Sequence, residues 1–169
     1  MRGVRQHLTI VAVLAATLLA GCGFHPRGKL PMPFETLYVS GGDYASFSAA
    51  VKRHLQSLGQ VKIEERQQQA QAVLEILGEN TDTQVLSLTS TGVVAEYSLN
   101  YRVAFRLRDN ANRVWIPASE IVLRRNLTYD VNEVLGKEHE QALLYKDMQE
   151  DAVEQLTRRL SHARPPVQT

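Results

Sequence analysis

One thiol stands alone in this chain. Cys22 is the single cysteine among 169 residues, and it closes the stretch Leu19-Ala20-Gly21-Cys22. A thiolate is a strong nucleophile, and the small residues before it let an extended backbone enter a peptidase cleft. The chemistry this spacing suits is modification of the sulfur, not catalysis by it. The other reactive side chains do not assemble. His7, His25, His54, His139 and His162 have no second histidine or cysteine at metal-ligand spacing. There is no Gly-x-Ser-x-Gly and no phosphate-binding glycine loop. Glu64-Glu65 and Glu138-His139-Glu140 would need a desolvated cleft for acid–base work, and such runs are usually solvated. The reading is therefore of a non-enzyme with no cofactor and no metal, apart from a covalent lipid on Cys22. What remains is arginine chemistry. Arg102, Arg106 and Arg108 alternate in one segment, and Arg124 and Arg125 follow in the next. Guanidinium forks suit phosphate and carboxylate groups, although charge on a wet sheet face also serves solubility.

The segment that positions Cys22 has the anatomy of a secretory leader. Met1 to His7 carries Arg2 and Arg5 and no acid, and Leu8 to Leu19 is apolar apart from Thr9 and Thr17. That run is shorter than the ~20 residues needed to cross a bilayer core, so it targets the chain without spanning. Leu-Ala-Gly-Cys resembles the lipobox of bacterial lipoproteins. The resemblance implies a diacylglyceryl group on the Cys22 sulfur, cleavage after Gly21 and acylation of the new amine. Two or more acyl chains anchor stably where one does not. Gly23 follows the cysteine; an Asp there would resemble an inner-membrane retention signal, so the expected location is the outer membrane, lipid-anchored on the periplasmic side.

Removing residues 1–21 from 169 leaves 148, enough for one domain with a real core. The leader takes two of the 19 basic residues and none of the 18 acidic ones, leaving the mature chain one charge negative. No bulk attraction to nucleic acid follows. The expected organisation is a lipoprotein signal peptide over 1–21, lipidated cysteine and tether over 22–33, one domain over 34–161, and a disordered tail over 162–169.

Gly23 to Pro33 holds three prolines and two glycines, which discourage helix and strand pairing. Phe34 to Val39 reads as a strand, and Asp43 is placed to cap the helix after it. Tyr44, Phe47, Val51, Leu55 and Leu58 recur at helical spacing before Gly59, where a helix stops. Val61 and Ile63 suggest a short edge strand, and Glu64 to Gln71 a solvated loop. Ala72 to Gly78 and Val85 to Thr89 read as one strand interrupted or bulged near Asn80-Thr81-Asp82. The clearest pattern runs from Val93 to Arg108, where Tyr97, Leu99, Tyr101, Val103, Phe105 and Leu107 alternate with polar or small residues. Val114 to Tyr129 returns after a turn, with Pro117 marking a bulge or an edge. Pairing about Ala111 sets Leu107 opposite Trp115, Tyr101 opposite Ile121, Leu99 opposite Leu123 and Arg102 opposite Glu120. Asn132 caps a short turn near Gly136, and a long helix runs from Lys137 or Glu138 to Leu160. The predicted fold is α+β: a two-layer sandwich with two helices on one face of a mostly antiparallel four-stranded, or mixed, sheet.

Together these pieces resemble the LptE family of lipopolysaccharide-assembly lipoproteins. The matching residues are Cys22-Gly23-Phe24-His25-Pro26-Arg27, Ala95-Glu96-Tyr97, and Leu135-Gly136-Lys137 with Glu140-Gln141 and Met148. The resemblance implies a partner, the outer-membrane LPS-assembly β-barrel LptD, which the protein plugs and helps to assemble, and a ligand, lipopolysaccharide. It implies lipopolysaccharide contact by Lys137 and by a basic residue in the turn before the central strand, where this chain has Ser90-Thr91. From spacing, Arg102, Arg106 and Arg124 are the substitutes. A rival reading is an outer-membrane lipoprotein that activates a peptidoglycan synthase. Eleven tether residues reach only about 36 Å at ~3.3 Å each, which favours a partner at the membrane. A periplasmic hydrolase is disfavoured by the missing nucleophile motifs.

Overall fold

The computed structural model describes residues 31–165. The expected leader, Cys22 and most of the tether lie outside the described residues, as do residues 166–169 of the expected tail. The elements are β1 (Thr36–Ser40), α1 (Ala45–Leu58), β2 (Lys62–Ile63), a 3-10 turn (Gln67–Gln69), β3 (Ala72–Leu88), β4 (Val94–Asp109), β5 (Val114–Thr128) and α2 (Val134–Ser161). The sheet is mixed and five-stranded, in the order β2-β1-β3-β4-β5. β1 pairs in parallel with β2 and β3, and the two hairpins β3–β4 and β4–β5 are antiparallel. The expected α+β sandwich is what forms, with the two-residue β2 as a fifth strand.

Alternation decides which face the helices cover. Leu99, Tyr101, Val103, Phe105 and Leu107 of β4 are all buried, beside Leu37 and Val39 of β1 and Leu74 and Ile76 of β3. α1 adds Phe47, Val51 and Leu55. α2 adds Met148, Ala152, Leu156 and Leu160, four residues apart and therefore on one side of the helix. All belong to one core, which Ala163 joins beyond the helix. The packing is concentrated toward the second half of α2, with Leu144 and Tyr145 partly buried against the core; Leu135 and Leu143 are exposed.

Four local expectations change. Asp43 does not cap α1: Tyr44 holds the N-cap position without a side-chain bond, and its N–H donates to the Gly41 carbonyl at 2.5 Å. Gly41 is needed there, because a Cβ would lie 1.6 Å from Ser48 Oγ. α1 does end at Gly59, in the left-handed region at φ 63°. Secondly, β3 is continuous through Asn80-Thr81-Asp82; its register shifts instead fall at Leu77 and near Leu86. Thirdly, α2 begins at Val134, a turn earlier than expected, with Glu133 at the N-cap position and Gly136 inside the helix.

The fourth correction is the β4–β5 register. Arg108 pairs with Val114 as expected, but Leu107 lies opposite Ile116, Tyr101 opposite Leu123 and Leu99 opposite Arg125. Two irregularities, one at Trp115 and one over Pro117 and Ala118, have together moved the upper hairpin by two residues. Side chains alternate with period two, so from Phe105 upward the summed two-residue shift keeps the side chains on their faces, whereas between the two irregularities the shift is one and Ile116 replaces Trp115 opposite Leu107. Glu120 then sits opposite Ala104, not Arg102.

Candidate functional site

The face of the sheet away from the helices carries the arginines, and β3 supplies their partners. Glu75 lies opposite Arg106. It accepts from Arg106 Nε at 2.8 Å and Nη2 at 2.5 Å, and from Arg108 Nε at 2.7 Å. Burial alone would raise the Glu75 pKa, but the hydrogen bonds and charges of Arg108 and then Arg106 outweigh it, and the carboxyl titrates below its ordinary value. Asp82 accepts from Asn100 Nδ2 at 3.0 Å and lies 3.5 Å from Arg102. Arg106 and Arg102 are thus partly neutralised by their own sheet. Arg124 also lies on this face, opposite Asn100, exposed and with no guanidinium partner among the described residues. Arg125 points the other way, to Asp151 of α2. The arginine row is therefore an ionic ladder more than a free cationic patch. The missing signal was the β3–β4 pairing, which places Glu75 and Asp82 among the arginines.

A second carboxylate organises the β4–β5 turn. Asp109 is buried and accepts from the N–H groups of Ala111 and Arg113 at 2.9 Å each, and from Arg113 Nε at 2.7 Å. Here too burial pushes the pKa up, the bonds from Arg113 and Ala111 push it further down, and the net shift is downward. A carboxyl with a lowered folded pKa contributes stability above its unfolded value, near 4, and loses it as pH falls through the folded value. Chemical denaturation between pH 2 and 6 is expected to show stability falling below about pH 4, with a shallower fall in Glu75→Gln and Asp109→Asn. An acid limb of unchanged slope in both variants would rule these two carboxyls out as its source.

Lys137 lies elsewhere, in the first turns of α2. Its Nζ is 2.9 Å from Glu140 Oε2. The bond to Glu140 raises its pKa, burial opposes this, and the charges of Glu140, Glu133 and Asp130 add to the rise; the ammonium is held charged. The topology fixes its neighbourhood. The Thr89–Val93 turn, the end of β5 and the start of α2 share one end of the sheet, since Leu88 pairs with Val94 and Glu96 with Thr128. The Ser90-Thr91 turn and Lys137 are brought to the same pole. Exposed apolar side chains surround them: Leu86, Leu88, Val93, Val131, Val134, and Leu135 at 82% exposure. Tyr97 and Tyr129 pack edge to face beneath, 5.2 Å between ring centres. Sequence reasoning missed this crown, because its residues come from β3, β4 and the β5–α2 link. The opposite pole holds the start of β1, the β4–β5 turn and the C-terminus of α2.

No group of three or more His, Cys, Asp or Glu side chains suited to a metal occurs among the described residues. No helix among them is long and apolar enough to cross a membrane.

This fold is shared by domains of bacterial lipoproteins. The solution structure of uncharacterized lipoprotein B from Nitrosomonas europaea is similar with a TM-score of 0.73 and 34% identity, over 82% of this chain and 90% of that one. The crystal structure of rare lipoprotein B from Shewanella oneidensis is similar with a TM-score of 0.67 and 29% identity, over 76% and 95%. The particular family is settled by sequence: residues 34–160 match the LptE (lipopolysaccharide-assembly) model, and the chain belongs to that family. It is 31% identical over 158 residues to the LPS-assembly lipoprotein LptE of Pectobacterium atrosepticum, covering 90% of this chain and 83% of that protein. To the protein of that name from Yersinia enterocolitica it is 29% identical over 161 residues, covering 90% and 74%.

Proposed function

We propose that this LptE-family lipoprotein is a non-catalytic partner of the outer-membrane LPS-assembly barrel LptD, held by acyl chains on Cys22, and that it binds lipopolysaccharide with the pole that carries Lys137. The observation that carries the reading is the composition of that pole. A charged ammonium and the Ser90-Thr91 turn stand among exposed aliphatic side chains, which suits a phosphorylated glycolipid with an anionic headgroup and apolar tails. The polar, ionically satisfied open face suits the wet lumen of a wide barrel, which would leak if left empty. Arg124, with its free guanidinium, is the best placed of the arginines to add a phosphate contact; Arg102 and Arg106 would have to leave Asp82 and Glu75.

The test is purification of the lipidated chain from detergent-solubilised outer membranes. A barrel protein at equal stoichiometry is expected; recovery of a peptidoglycan synthase alone would favour the rival reading. For the ligand, Lys137→Glu is expected to weaken lipopolysaccharide binding tenfold or more, at about 1.5–3 kcal/mol for a charge-assisted hydrogen bond. The melting temperature should fall only slightly: Lys137 is partly buried and Glu140 exposed, and a surface i,i+3 pair of this kind contributes little. Unchanged affinity would remove Lys137 from the contact.

A further inference from the structure

β3 is 17 residues long, yet β1 covers only Ala72 to Glu75 on its outer side. From Ile76 to Leu88 no strand of the described residues lies beyond β3. The hydrogen-bond pattern tells which main-chain groups are left over. Asp109 N–H donates to the Arg113 carbonyl at 3.0 Å, and Tyr129 N–H donates to the Ala95 carbonyl at 2.9 Å. The odd-numbered residues of β4 therefore turn their main-chain groups toward β5, and the even-numbered ones face β3. Their partners Gly78, Asn80, Asp82 and Gln84 face back. The N–H and C=O groups of Glu79, Thr81, Thr83 and Val85 point outward, where the sheet ends.

Long open edges are usually shortened, bulged or armed with lysine, because they recruit strands. Bulges bracket this one at Leu77 and near Leu86, and between them its pairing with β4 runs without a shift, with no lysine or proline. The geometry points to strand addition at this edge: an extended segment of the barrel partner pairs with Glu79 to Val85 and contributes a basic side chain that reaches Glu79. Charge argues for that occupant. Residues 75–88 contain three acids and no base. Glu75 and Asp82 are answered by arginines of β4, whereas among the described residues Glu79 meets only neutral groups, the Tyr101 hydroxyl at 2.5 Å and the Gln149 amide at 3.2 Å. A second copy pairing here would bring acids to acids. A closed barrel wall has no edge of its own to offer, so the segment must be a loop or terminus of the partner that reaches inward.

The inference rests on the barrel-partner reading above, and the experiment separates the two. Thr81→Pro deletes an outward N–H, which an edge strand tolerates, whereas Thr81→Val keeps it. Each is expressed as the full lipidated chain and purified from outer membranes. Thr81→Pro is expected to lower barrel recovery at least tenfold while Thr81→Val leaves it unchanged. Should Thr81→Pro fail to accumulate, amide hydrogen exchange of the unmodified chain gives the second reading. Exchange at Thr81, Thr83 and Val85 is expected to slow at least tenfold in the complex relative to the isolated chain. Equal recovery of both variants, or unchanged exchange at those amides, overturns strand addition while the barrel partnership stands. Dimerisation of the isolated chain through these residues overturns the occupant named here. A chain that recovers no barrel overturns both readings.

Discussion

Phe105→Ala is expected to destabilise the domain by about 3–5 kcal/mol, as large aromatic truncations in packed cores do. The ring is fully buried at the centre of β4, between Ile76 on one strand and Ser119 on the other. The Arg159 guanidinium lies over it, 5.7 Å from its centre, and donates to the Glu120 carbonyl at 2.9 Å. Truncation therefore opens a cavity in the core and removes the surface on which the last turn of α2 rests. At a few °C per kcal/mol for a domain of this size, the melting temperature should fall by roughly 10 °C or more. Urea titration gives the free energy directly. A loss below about 1 kcal/mol would mean the ring is not packed as described.

The second large effect is all-or-none. Cys22→Ala is expected to abolish lipid labelling and to release the chain from the membrane fraction. Each buried methylene contributes about 0.8 kcal/mol, so losing acyl chains removes the whole anchor. Metabolic labelling with palmitate followed by membrane flotation reads both. A variant that still takes up label and floats would show that the sulfur is not the attachment point, and the periplasmic address inferred from the leader would go with it.

What the sequence disclosed divides along physical lines. Alternation from Tyr97 to Leu107 and the i, i+4 stripe from Met148 to Leu160 are local, so the buried faces of β4 and α2 could be read directly. Gly59 announced the end of α1 because few other residues adopt a left-handed cap. The ionic ladder was hidden because Glu75 and Arg106 are 31 residues apart and meet only once β3 pairs with β4. The hairpin register was read two residues short: Pro117 signalled one irregularity, but the second, at Trp115, carries no proline or glycine to announce it. The faces survived the error because it was an even number. Asp43 illustrates the reverse case, a good capping residue left unused because the chain turns at Gly41 and places Tyr44 at the helix start.

The length of β3 sets a scale for the molecule. Seventeen residues at about 3.3 Å each extend roughly 50 Å, against some 30 Å for the oily interior of a bilayer. The chain enters at one end of this rod, where β1 begins, and the aliphatic crown with Lys137 stands at the other. If the protein stands upright in a barrel and is moored by acyl chains on Cys22, as proposed above, the pole that carries Lys137 would reach past the hydrocarbon layer to the outer surface, with nothing in the domain having to move.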